Sequence, residues 1–95
     1  MDTKEKVTKL IALYLLAIGR NGKPNGDLYA ELMADCQALD IHNAIIETLI
    51  NNGLASQSNY FVTLTAKGLA LHDKVESIAL GIIAKQSIAT QTPNG

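Results

Sequence analysis

The chain predicts a mostly helical α+β domain with one small β-hairpin. Three observations lead there. Apolar residues recur every three or four positions in four separate stretches, the period of a helix with one greasy face. Residues 54–64 instead hold two short β-prone runs around a polar turn. The breaks fall between these segments: Gly and Pro cluster at 19–26, and Gly53 closes the third helical stretch. With 95 residues, 47% of them hydrophobic, there is material for one core only, and so small a core favours association.

Residues 2–18 read as the first helix. Val7, Leu10, Ile11, Tyr14, Leu15 and Ile18 form a wide stripe assigned to the domain's own core. Leu13 and Leu16 lie off that stripe, and a second apolar face predicts a partner chain over it. The unbroken apolar run at 10–18 is far shorter than the roughly 20 residues that cross a hydrocarbon core, so no membrane span is expected. Residues 1–9 are charged and no cleavage-site pattern follows, which predicts a cytoplasmic protein.

Residues 19–26, GRNGKPNG, read as loop. A phosphate-cradling loop needs Gly-Lys followed by Ser or Thr, and here Gly22-Lys23 meets Pro24, so a connector is the better account. Residues 27–36 form the second helix, with Leu28, Leu32, Met33 and Cys36 inward, and 37–39 the turn, with Leu39 in the core. One cysteine and two distant histidines, without ligand spacing, predict no metal and no disulfide; Cys36 reads as a small buried hydrophobe.

Residues 40–52 form the third helix. Ile41, Ile45, Ile46 and Leu49 make its buried face, His42 falls beside that face as a packed or capping side chain, and Gly53 supplies the left-handed stop. The hairpin follows at 54–64, turning at Ser58-Asn59, with Tyr60, Val62 and Leu64 on one side and Phe61 and Thr63 on the other. Thr65 caps a last helix over 65–85 or slightly beyond, to about Ala89, and residues 86–95 are expected to fray into a polar, disordered tail. Leu71, Val75, Ile78 and Ile82 alternate four and three apart, a helix-pairing seam, while Leu69, Leu80 and Ile83 lie opposite. One face would serve the domain and the other a second subunit, so Leu13, Leu16, Leu71, Val75, Ile78 and Ile82 are the expected homodimer interface.

This order, with the phrases LINNGLA and VTLTAKGLAL, resembles the winged helix-turn-helix of MarR-like and PadR-like bacterial regulators. The residues that carry the resemblance are Leu49, Gly53, Leu54, Leu64, Thr65 and Gly68. It implies one winged-helix domain over residues 1–85, with a helix-turn-helix at 27–53, a wing at 54–64, a short first strand within the connector, and DNA binding by a homodimer that regulates transcription. In those families basic residues stand one and five positions before the conserved leucine; here Thr48 and Ala44 occupy those places.

Charge placement bears on that function. The net charge is −1, yet all eight basic residues lie outside 24–66, while Asp27, Glu31, Asp35, Asp40 and Glu47 lie inside. A helical wheel turns Asn43, Ala44, Glu47 and Asn51 away from the apolar face, and Asn43, Glu47 and Asn51 are the candidates for reading a groove. Gln57 and Asn59 would touch DNA from the wing, and Arg20, Lys23 and Lys67 would supply the phosphate contacts. The alternative is a protein-interaction module that presents its acidic face to a basic protein partner and has no general affinity for DNA. An enzyme is not expected: acids and nucleophiles are scattered, and neither a catalytic residue nor a cofactor site is identified.

Overall fold

A computed structural model describes residues 3–91, with 83–91 as helical backbone. Among them are α1 (Thr3–Ile18), β1 (Lys23–Pro24), α2 (Asn25–Cys36), α3 (Leu39–Asn51), β2 (Ala55–Ser58), β3 (Phe61–Leu64) and α4 (Ala66–Gln91). The three strands form one antiparallel sheet in the order β1-β3-β2, so the connector strand adds to the outer side of the hairpin. The core gathers Tyr14, Leu15 and Ile18 of α1, Leu28 and Leu32 of α2, Ile45, Ile46 and Leu49 of α3, and Ala55 and Val62 of the sheet. No helix among the described residues is long and apolar enough to cross a membrane.

The junction between α3 and α4 is tied at one residue. Gly53 takes a left-handed φ of 72°, which lets the Leu54 N–H turn back to the Leu49 carbonyl at 2.9 Å and closes the end of α3. The Leu54 carbonyl then accepts from the Thr65 N–H at 3.0 Å. Thr65 in turn caps α4, its hydroxyl accepting from the Gly68 N–H at 3.1 Å and donating to the Gly53 carbonyl at 2.6 Å. Gly68 lies so close to Leu54 that a Cβ there would overlap the Leu54 carbonyl oxygen.

Several boundaries depart from the sequence expectation, each for a local reason. α2 begins at Asn25, because Pro24, extended at φ −60° and ψ 141°, suits the position before a first turn and lacks an N–H to leave orphaned. The turn after α2 is tighter than 37–39: Gln37 alone goes left-handed, α3 starts at Leu39, and the inward face centres on His42, Ile45, Ile46 and Leu49. Leu39 is therefore 52% exposed, and Ile41 and Met33 are also exposed. In the hairpin, Ser58 pairs with Phe61, so the two-residue turn is Asn59-Tyr60, both at positive φ, and Tyr60 leaves the buried side for solvent. α4 reaches Gln91, slightly past the expected end, and takes 86–91 from the expected tail, since no Gly or Pro stands between Gly81 and Pro93; residues 92–95 lie outside the described residues.

Candidate nucleic-acid interface

Asn43, Glu47 and Asn51 are all exposed and lie one turn apart on the outer side of α3. Their exposure follows from the burial of His42, Ile45, Ile46 and Leu49 on the opposite side. Gln57 and Asn59 are exposed on the hairpin, which packs beside α3. The structure thus presents two polar surfaces next to each other, one helical and one at a strand turn.

The cations assigned to phosphate contacts have partners within the chain. Lys23 Nζ lies 2.9 Å from both carboxylate oxygens of Glu31. Arg20 binds the Asp73 carboxylate and so links the connector to α4. Lys67 donates to the Asn52 carbonyl at 3.1 Å, a cation placed at the negative end of α3. Each can reach a phosphate only by leaving or sharing that partner. Asp73 also accepts from the His72 ring at 3.0 Å; that hydrogen bond, followed by the one from Arg20, holds the carboxyl below its ordinary range. His72, Asp73 and Glu76 bring ligand atoms within 4.8 Å of one another, but the Arg20 guanidinium on Asp73 occupies the place a cation would take.

Beneath the surface is a polar relay that sequence patterning misses. His42 is fully buried, with the rings of Tyr14 and Tyr29 tilted against it at centroid distances of 5.5 and 5.0 Å. Asn25 donates its amide to Gln57 Oε1 at 2.7 Å, which turns its own oxygen toward His42 Nε2 at 2.6 Å. Nε2 therefore carries the proton, and Nδ1 accepts from the Tyr14 hydroxyl at 2.7 Å. Four elements are joined in one line: α1 through Tyr14, α3 through His42, α2 through Asn25 and β2 through Gln57. Gln57 is thus committed to positioning the hairpin, and Asn25 is a residue that nothing in the local pattern singles out. Asn25 reads locally as half of an Asn-Gly turn, and its partners are distant along the chain.

Burial sets the protonation states. It lowers the pKa of His42 from 6.5, and burial, followed by the Cys36 side chain, raises that of the Tyr14 hydroxyl well above its ordinary value. At pH below about 6.5 the unfolded chain takes up a proton on His42 that the folded one resists, so unfolding becomes easier as pH falls. The expected result is a urea midpoint that is flat above about pH 7 and declines from about 6.5 downward, by at most about 1.4 kcal/mol per pH unit for this group. His42→Gln should flatten that decline; an unchanged slope in the variant would assign the acid sensitivity elsewhere. Asp73, lowered in the fold, adds a loss only below about pH 3.8.

The residues expected at a subunit interface divide in two. Leu13 and Leu71 are partly buried against the chain's own core, and Leu16 and Val75 are half-buried. Ile78 and Ile82 are 58% and 52% exposed on the outer half of α4, with Leu80 exposed on its opposite face. Comparison with protein-family models, curated proteins and solved structures gives no significant match.

Proposed function

We propose that this chain is a cytoplasmic winged-helix protein that binds duplex DNA as a homodimer, in the manner of a small transcriptional regulator. The observation that carries the reading is the element order, helix-strand-helix-helix-hairpin-helix, with the Asn43, Glu47 and Asn51 row exposed on α3 beside a hairpin. That row suits a major groove: Asn pairs with adenine edges and Glu accepts from cytosine amines. Few phosphate contacts support it, since Arg20, Lys23 and Lys67 have internal partners, so affinity is modest and its salt slope shallow.

Fluorescence anisotropy against duplex from the gene's own upstream region, with a scrambled duplex as control, tests this across several salt concentrations. Selective binding is the expected result. Absence of binding to both duplexes at low salt would remove the DNA reading. A second reading then takes its place, a protein-interaction module for a basic partner, which the same observation favours: acidic side chains line α2 and α3 while the neighbouring cations are internally paired.

Exposure of Ile78 and Ile82 supports the homodimer, because a helix end with apolar side chains in water gains by covering them. Replacing both with aspartate should give a monomer by light scattering at micromolar concentration while leaving the helical far-UV signal largely intact. A wild-type chain already monomeric under those conditions would exclude the interface.

A further inference from the structure

The first turns of α4 leave an open cleft beside Leu54, of about 300 Å³, lined by Leu54, Lys67, Ala70, Leu71 and Lys74. Leu54 and Leu71 are half-buried and form an apolar floor, while Lys67, Ala70 and Lys74 are exposed. Ala70, Leu71 and Lys74 follow Lys67 by three, four and seven positions, which puts all four on one face of the helix. The two lysines stand about 10 Å apart along its axis. Asp73 and Glu76 fall on other faces, and Asp73 is taken by Arg20 and His72. The cleft is therefore apolar between two cations.

Its walls are preformed. The Leu54 N–H and carbonyl are both bonded, to Leu49 and Thr65, and Gly68 packs directly against them. Lys67 is held in place by its bond to the Asn52 carbonyl, which uses one of the three donors of its ammonium group. Lys74 has no hydrogen bond or ion pair among the described residues, so its charge is free for a partner.

We propose that this cleft docks an acidic amphipathic helix of a partner protein. Aliphatic side chains of that helix rest on Leu54 and Leu71, and carboxylates two turns apart meet Lys67 and Lys74. A second α4 is the wrong occupant, because it would bring two more lysines and no acid on this face. A flat lipid surface fits poorly, since the apolar floor is recessed below the lysines. Only Lys67 is shared with the DNA assignment, so docking here stands or falls independently of that reading.

The probe is a fluorescein-labelled, alanine-based helical peptide of about 16 residues, with Glu, Leu, Leu and Glu at i, i+3, i+4 and i+7. A control peptide has lysine in place of both glutamates. Anisotropy with the full-length protein at low salt should show the acidic peptide binding at least about tenfold tighter than the control. Lys74→Glu should weaken the acidic peptide about tenfold, improve binding of the lysine peptide, and leave the melting temperature unchanged. Equal binding of the two peptides, or an acidic-peptide affinity untouched by Lys74→Glu, overturns the proposal. Two further results overturn it by naming another occupant. Dissociation of a wild-type dimer by Lys74→Glu in light scattering would put a second copy in the cleft, and binding of phosphatidylglycerol vesicles without binding of the peptide would put a lipid surface there.

Discussion

Replacement of His42 by alanine is expected to cost about 3–4 kcal/mol of folding stability, a large share of what a domain of this size possesses. Two effects add. The imidazole fills a fully enclosed site between Tyr14 and Tyr29, and its removal leaves a void there. It also leaves the Tyr14 hydroxyl without its acceptor and the Asn25 oxygen without its donor. Urea denaturation of wild type and variant at pH 7.5 measures the difference. A loss below about 1 kcal/mol would mean that water repairs the relay and that His42 is only filler. His42→Gln, which retains a donor and an acceptor, should lose less.

Gly68→Ala is expected to destabilise by about 2 kcal/mol or more, although alanine is the better helix former by about 1 kcal/mol. The added methyl overlaps the Leu54 carbonyl oxygen, and that oxygen is backbone held by the Thr65 N–H, so it cannot turn aside. Gly81 supplies the control. It lies in the same helix with nothing within 4 Å of a Cβ, and Gly81→Ala should stabilise by about 0.5–1 kcal/mol. Thermal melts of the pair should therefore move in opposite directions. An upward shift in both would show that helix propensity outweighs the contact at Leu54.

The α+β class and the punctuation of the fold were legible because their causes are local. Gly53 stops α3 and Thr65 caps α4 through bonds to residues a few positions away. Local pattern places the hairpin turn one residue early, because register is set across strands: Val62 must enter the core, and Ser58 then faces Phe61. Periodicity points Leu39 and Met33 inward although both are exposed, because a helix end has too few residues to fix the phase of its stripe. In the candidate site, the outward row of α3 could be read from periodicity. The partners of Arg20, Lys23 and Lys67 could not, since Asp73, Glu31 and Asn52 reach them only through the tertiary fold. The relay through His42 was hidden for the same reason, its links spanning from 17 to 32 positions.

The knot at Leu54 has a mechanical consequence. Its N–H belongs to the end of α3 and its carbonyl to the start of α4, and Gly68 is seated directly on it. The end of α3 and the start of α4 are thus joined directly by backbone bonds, although the hairpin separates them in the chain. α4 is 26 residues long, an arm of about 39 Å, and its outer half extends beyond the packed head. A partner that holds the outer half of α4 therefore also holds, through Leu54, the end of the helix that carries Asn43, Glu47 and Asn51.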